Sequence, residues 1–202
     1  FQLGYRSDLV DWLRCVADKY KLCTVTVHLA VFLMDRFMDH HSICESKLCA
    51  IGLVCLLIAA KFEERDNRLN EVKEVLNCNF REGLVTLEHL VLSWFDWTIN
   101  FPTAGHFAEH YMRHAVLPSD KNPTRMSEHG LRQTVIGSLM DYLNMSLKAM
   151  PLLVVRGSAV AACCLLAARR RHCLSPSWPP PLASITGYTR SQLAEPLRIL
   201  LK

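Results

Sequence analysis

The sequence predicts an all-α protein built from two tandem helical domains. Apolar residues recur at helical spacing almost throughout, and no stretch shows the sustained apolar–polar alternation of a half-buried strand. The 202 residues exceed the usual size of one domain but are few for two large ones. The helical pattern stops and restarts at Phe101-Pro102. We therefore expect one domain over residues 1–100 and a second over residues 101–202.

Five helices are expected in the first domain. Ser7 and Thr24 are residue types that commonly cap helix N-termini. The third helix is apolar on most sides, which indicates a helix enclosed by its neighbours. In order, the helices are predicted from Ser7 to about Tyr20, from Thr24 with Val27, Val31, Leu33, Met34 and Phe37 facing inward, from near Ser42 or Glu45 to about Phe62, from Leu69 to Asn77, and from Gly83 to Phe95.

The second half repeats this helical plan. Residues 55–61 resemble residues 163–169, at a separation of roughly one hundred residues, which is typical of a duplicated domain. Chance similarity between two buried helices rich in Ala and Leu is the alternative. The helices are predicted from Thr103 to Val116, from about Ser127 to Lys148, from Pro151 to His172 and from Ser191 to Leu201, with Pro118, Pro123 and Pro179 to Pro181 in loops.

Composition narrows the class of protein. Half of the residues are hydrophobic and 21% are charged, which suits a globular chain with a buried core. The net charge of +4 is spread along the sequence, so a nucleic-acid partner is not expected. The nine cysteines lie mostly within helical patterns and form no CxxC pair, which indicates reduced thiols and a nuclear or cytoplasmic location. Charged residues interrupt the longest apolar runs, so no membrane anchor is expected.

Lys61 is the most informative residue, because it lies where an otherwise apolar helix ends. A cation beside so much apolar surface needs an acceptor. Glu88, a lone acidic residue on the largely apolar fifth helix, is the best candidate within the chain. The two residues alone leave two interpretations open, namely an internal structural pair and a polar site that faces a partner.

Asp35 and Arg6 form a second candidate pair. Asp35 lies among the apolar residues Leu33, Met34 and Phe37, so it needs a cation. Arg6, at the entrance to the first helix, offers a bidentate partner. Such a pair would fix one helix against another.

Two other clusters have simpler explanations. His106, His110 and His114 are spaced four residues apart, as zinc ligands on one helical face can be, but no fourth ligand or general base is evident. We therefore predict a solvated helix face, no metal and no cofactor. Arg169 to Arg171 close a helix, where cations interact favourably with the helix dipole; nuclear import and anion binding are the alternatives.

No phosphate-binding loop, nucleophile elbow or zinc-protease motif is present, so an enzyme is not expected. Several segments together instead resemble the cyclin box, over about Tyr5 to Pro102 and more faintly in the second half. The resemblance implies two tandem five-helix cyclin folds. It rests on residues 9–13, 28–31, 35–37, 47–48, 59–64 and 88–92, and in the second half on residues 147–148, 151, 177–179 and 186–188.

The resemblance implies a regulatory subunit of a cyclin-dependent serine/threonine kinase in cell-cycle control, with catalysis left to the kinase. In cyclins, the residues at the positions of Lys61 and Glu88 hydrogen-bond the kinase backbone beside its regulatory C-helix. The resemblance also makes Arg6 with Asp35 the structural pair of the box. It places four further residues at or near the apolar kinase contact: Ile58, Phe62, Leu92 and Trp97.

The same resemblance points to a degenerate substrate-docking patch, formed by Tyr5, Leu9, Trp12, Leu48 and Cys49. Asp8 stands where many cyclins have an apolar residue. Cys15 and Cys49 stand where cell-cycle cyclins have an acidic residue and a glutamine that hold the substrate motif. These differences predict weak binding of Arg-x-Leu peptides.

The subclass and one competing function stay open. Phe80, the region of Trp97 and residues 102–107 resemble J-type cyclins, whereas the first helix and residues 35–37 resemble A-type and B-type cyclins. The competing function is a cyclin-fold adaptor in transcription that binds no kinase. A metalloenzyme using the three histidines ranks third.

Overall fold

The computed structural model describes residues 2–65, 81–121 and 126–202. The predicted all-helical fold is confirmed, since the described residues form helices and no strand. The chain divides into two compact units, Phe1–Phe101 and Pro102–Lys202. The α-helices are α1 (Gln2–Lys19), α2 (Thr24–His40), α3 (Glu45–Glu63), α4 (Arg81–Trp94), α5 (Ala104–Tyr111), α6 (Glu128–Ser146), α7 (Gly157–Arg171), α8 (Pro180–Thr186) and α9 (Ala194–Leu200).

Helix α3 is the centre of the first unit, as its apolar sequence predicts. It packs against α1, α2 and α4. Ala59 and Ala60 are completely buried, and small side chains at such positions allow neighbouring helices to approach closely. Ten of its residues are buried: Leu48, Ile51, Gly52, Val54, Cys55, Leu56, Leu57, Ile58, Ala59 and Ala60.

An ion pair joins α1 to α2. Arg6 Nε donates to Asp35 Oδ1 at 2.7 Å, and Arg6 Nη2 donates to Asp35 Oδ2 at 2.8 Å. The Arg6 side chain is only 3% exposed and the Asp35 side chain 17%. Burial raises the pKa of the Asp35 carboxyl, while the hydrogen bonds and charge of Arg6 oppose that rise. The carboxylate therefore depends on Arg6 to stay ionised.

The N-terminal caps predicted for α1 and α2 were both wrong. Helix α1 begins at Gln2, so Ser7 lies inside it and Arg6 lies in its second turn rather than at its entrance. Helix α2 is capped by Cys23, whose Sγ accepts from Thr26 N at 3.4 Å, and Thr24 is its first helical residue. The predicted helix over residues 69–77 lies outside the described residues.

Helix α7 is the centre of the second unit and packs against α5, α6, α8 and α9. We predicted that it begins at Pro151, but a short 3₁₀ helix, Met150–Leu152, and a turn precede it, and α7 begins at Gly157. A Cβ at Gly157 would lie 2.9 Å from Ala104 N and 3.1 Å from Thr103 C. Only glycine allows the two backbones to approach this closely.

Two other helix boundaries of the second unit differ from the prediction, and one helix was missed. The helix predicted over residues 103–116 ends at Tyr111 and continues as a 3₁₀ turn, Met112–His114. Helix α8 was missed, because its two prolines were read as loop residues although they occupy the first turn, where a missing N–H costs nothing. The last helix begins at Ala194 rather than Ser191.

The dipole interpretation of Arg169 was also wrong, because this side chain is fully buried. It forms a bidentate ion pair with Asp120, at 2.8 Å from Nη1 to Oδ2 and 2.6 Å from Nη2 to Oδ1. Its other N–H groups donate to the backbone carbonyls of Ala115, Pro176 and Ser177. All five guanidinium donors are thus satisfied within the unit.

No described helix is long and apolar enough to cross a membrane.

We predict that Arg6→Ala lowers the free energy of unfolding by about 3–5 kcal/mol at neutral pH, because it leaves Asp35 buried without its cation. The folded-state pKa of Asp35 then lies further above the unfolded value of about 3.9. Folding therefore takes up protons, and stability falls as the pH rises from about 4 towards 7. Denaturant unfolding across this range measures both effects.

The double variant Arg6→Met with Asp35→Leu is the control, because it replaces the pair with apolar side chains of similar size. We expect it to recover most of the lost stability. An Arg6→Ala protein as stable as the wild type at pH 7 would contradict the structural role of this pair.

Candidate functional site

A groove of about 190 Å³ opens on the first unit at the end of α3. All six residues predicted to contact a kinase line it: Ile58, Lys61, Phe62, Glu88, Leu92 and Trp97. Sequence reasoning missed a seventh lining residue, Ile99. The available signal was an isolated apolar residue between Thr98 and Asn100. The structure thus brings three separate stretches of the chain to one surface.

Helical spacing explains the contributions of α3 and α4. Ile58, Lys61 and Phe62 are three and four residues apart, so they share one face of α3. Ile58 is buried at the base of the groove, whereas Phe62 is 47% exposed. Glu88 and Leu92 are four residues apart on α4 and share its face in the same way. The groove is therefore an apolar surface with one charged pair.

Trp97 reaches the groove through an unusual turn after α4. Asp96 and Trp97 have φ values of 49° and 60°, in the left-handed region that non-glycine residues seldom adopt. Hydrogen bonds from Trp97 N to Leu92 O and from Thr98 N to Phe95 O, both 2.9 Å, hold this conformation. The Trp97 side chain is left 62% exposed, with its ring edge-on to His89 at a centroid distance of 5.9 Å. Strained backbone of this kind is frequent at functional sites.

The charged pair makes two short hydrogen bonds and still has hydrogen-bonding capacity left. Lys61 Nζ lies 2.5 Å from Glu88 Oε1 and 2.7 Å from Oε2. The Lys61 side chain is 44% exposed and the Glu88 side chain 16%. An ammonium group has three donors and a carboxylate about four acceptor sites, so a donor and two acceptor sites remain. Such a pair can bind one carbonyl and one amide of another protein without breaking.

Both halves of the chain match known families. The family described as "Cyclin, N-terminal domain" matches residues 1–100, and the family described as "Cyclin, C-terminal domain" matches residues 102–202. The chain belongs to the cyclin family. Cyclins are regulatory proteins rather than enzymes, so this chain is a cyclin-type regulator.

Two types of cyclin are among the relatives. The chain is 36% identical to Cyclin-J of Xenopus laevis, over 93% of this chain and 52% of the relative. It is 33% identical to Cyclin-J of Homo sapiens (99% and 54%) and 31% identical to Cyclin-A1 of Mus musculus (98% and 44%). The chain thus spans about half the length of these curated relatives. Phe80, one of the residues that suggested the J type, lies outside the described residues.

The fold also matches a solved cyclin. A viral cyclin from herpesvirus saimiri superposes with a TM-score of 0.77, over 98% of this chain and 83% of the other. Sequence identity is 16%, so this match bears on the fold alone. The tandem cyclin fold predicted from the sequence is confirmed.

The predicted docking patch of this cyclin lies on α1 and α3, which pack together. Leu9 and Leu48 are buried, whereas Trp12 is 36% exposed and Cys49 is exposed. Tyr5 is partly exposed, and a hydrogen bond to Glu45 raises the pKa of its hydroxyl. The accessible part of the patch is thus an indole, a thiol and a phenol that already binds a carboxylate.

The three histidines do not converge. His106 Nδ1 accepts from Thr103 N at 3.2 Å as part of a capping box. His110 and His114 have ring centroids 6.2 Å apart, and His114 lies in the 3₁₀ turn that follows α5. Within the described residues, no group of three or more potential ligands is placed to hold a metal ion.

We predict that the Lys61–Glu88 pair contributes little to folding. Because the ammonium is largely exposed, the coupling energy from a double-mutant cycle of Lys61→Ala and Glu88→Ala should be below about 1 kcal/mol in unfolding free energy. A coupling energy above about 2 kcal/mol would instead identify the pair as an internal structural one.

Proposed function

We propose that this cyclin binds and activates a cyclin-dependent serine/threonine kinase in cell-cycle control, as the regulatory subunit of a heterodimer. The observation that carries the proposal is the groove, where the charged pair and the apolar residues that the cyclin resemblance assigns to kinase binding lie side by side. Membership of the family supports it further.

The cyclin would activate the kinase by holding parts of it in position and would take no part in the chemical step. The exposed rings of Phe62 and Trp97 would bury apolar surface of the kinase, and aromatic anchors of this kind often dominate binding energy. Lys61 and Glu88 would hydrogen-bond backbone groups beside the kinase C-helix. Held in this way, the C-helix glutamate pairs with the ATP-site lysine, and the activation loop becomes ordered.

We also propose that the protein works in the nucleus or the cytoplasm, where thiols stay reduced. The cysteines that the structure describes are all free, and four of them, Cys15, Cys44, Cys49 and Cys173, are exposed, which suits a reducing compartment. Burial raises the pKa of Cys163 to about 12 and raises the pKa of Cys55 as well. Both stay protonated and unreactive at neutral pH.

Capture from cell extract tests the kinase partner. We predict that the wild-type chain captures a cyclin-dependent kinase, identified by mass spectrometry, and that the Lys61→Ala, Glu88→Ala variant loses most of it. The exchanged variant, Lys61→Glu with Glu88→Lys, separates the two interpretations of the pair. It keeps an internal ion pair but exchanges donor and acceptor, so we expect it to lose the kinase too.

The matched control is Glu195→Ala with Arg198→Ala, which removes an exposed ion pair of 2.5 Å from the second unit. We expect it to capture as much kinase as the wild type does. A folded wild-type chain that captures no kinase would favour the transcriptional adaptor. An exchanged variant with full capture would show that the pair acts only within the chain.

We predict that Arg-x-Leu peptides bind this cyclin weakly. Asp8, Cys15 and Cys49 replace the residues that would hold the motif, and the phenol of Tyr5 is already hydrogen-bonded to Glu45. A fluorescence-polarisation titration should give a dissociation constant in the millimolar range or show no binding. Sub-micromolar binding would contradict the prediction.

A further inference from the structure

Glu64, the C-cap residue of α3, joins this helix to the start of α2. Its backbone N–H donates to Ala60 O at 3.0 Å, which closes the last turn of α3. Its carboxylate oxygen Oε1 accepts from Cys23 N at 2.5 Å and from Thr26 Oγ1 at 2.7 Å. One residue therefore holds the C-terminal end of α3 against the N-terminal turn of α2.

The chemistry of this contact favours a carboxylate. The first N–H groups of a helix have no acceptor within the helix, and the helix dipole makes that end positive. Thr26 is completely buried, so its hydroxyl needs a partner inside the protein. Glu64 satisfies the hydroxyl of Thr26 and the N–H of the cap residue Cys23 with one charged oxygen.

The groove depends on the segment that Glu64 holds. Lys61 and Phe62 lie in the last turn of α3, three and two residues before Glu64, respectively. Helix ends fray, because their last carbonyls have no intrahelical donor. Fraying of this turn would move the Lys61 ammonium away from Glu88 and the Phe62 ring away from the other residues that line the groove.

We propose that Glu64 is a positioning residue for partner binding, which through Cys23 and Thr26 fixes the last turn of α3 and so presents Lys61 and Phe62 to the kinase. This inference rests on the proposed kinase-binding function, because the affinity of that groove is what Glu64 controls. Glu64 acts through its neighbours and needs no contact of its own with the kinase.

Thr26→Val tests the role, because valine keeps the shape of the side chain and removes the hydroxyl. The probe is the purified kinase that the wild-type chain captures. We expect its dissociation constant to rise about tenfold with Thr26→Val, the effect of one hydrogen bond to a charged group, and to stay near the wild-type value with Thr26→Ser. The backbone amide hydrogen of Glu64 should exchange faster than in the wild type in Thr26→Val but not in Thr26→Ser.

The matched control is Thr186→Val. Thr186 is also a buried threonine, its hydroxyl donates to Leu182 O at 2.7 Å, and it lies in the second unit. We expect it to leave kinase affinity unchanged. Glu64→Gln is the second variant, should Thr26→Val fold poorly. It keeps an acceptor oxygen without the charge, and we expect a smaller loss of affinity.

A double-mutant cycle separates positioning from a direct contact. If Glu64 and Thr26 act through the last turn of α3, the losses from Thr26→Val and Lys61→Ala are less than additive. Full additivity, or a valine variant that binds as tightly as the wild type, would overturn the positioning role while leaving the proposed function intact. A wild-type chain that binds no kinase would overturn the proposed function and this role together.

Discussion

The burial of α3 on nearly every side is the constraint on which the rest of the first unit depends. Because α1, α2 and α4 enclose it, its only well-exposed part after the first turns is the C-terminal end. Beyond the first turns, polar and aromatic side chains of α3 can reach another protein only there, and Lys61 and Phe62 occupy those positions. The helices that enclose α3 also supply the other walls: Glu88 and Leu92 come from α4, and the turn that follows α4 brings Trp97 and Ile99. One packing arrangement thus creates the core and the groove.

The central helix of the second unit, α7, also ends in a cation, but that cation has a different role. Lys61 and Arg169 close equivalent seven-residue segments, yet Lys61 is exposed and Arg169 is completely buried. The difference comes from the neighbouring loops. In the second unit they supply Asp120 and three backbone carbonyls, which satisfy the whole guanidinium. Arginine suits this role, because its planar fork has five donors and is never deprotonated. The cation that closes this segment is a surface feature in the first unit and an internal support in the second.

The sequence predicts most of this architecture, because the periodicity of α2, α3, α4 and α6 follows directly from the burial of one face or of nearly all faces. Prediction from the sequence fails where contacts between distant parts of the chain determine the structure. The start of α7 depends on the approach of Gly157 to Ala104, fifty-three positions away, and the cage around Arg169 depends partly on Ala115 and Asp120, 54 and 49 positions away. Neither leaves a local signal. The charged pair of the groove was predictable because its charges stand out against apolar helices, and the apolar residues of the groove were predicted from the cyclin resemblance. Glu64, in contrast, resembles any acidic residue at a helix end.

Three features that lower the folding stability or add little to it meet at the groove. Left-handed backbone at two successive non-glycine residues, Asp96 and Trp97, costs about 1–2 kcal/mol per residue. Phe62 and Trp97 leave large aromatic surfaces in water. Lys61 and Glu88 form an exposed pair of the kind that adds little stability. Glycine or asparagine at the turn and polar residues on the surface would give a more stable chain. Departures from local rules that cluster in this way are expected where a surface is shaped for a partner, because binding then offsets what folding has lost.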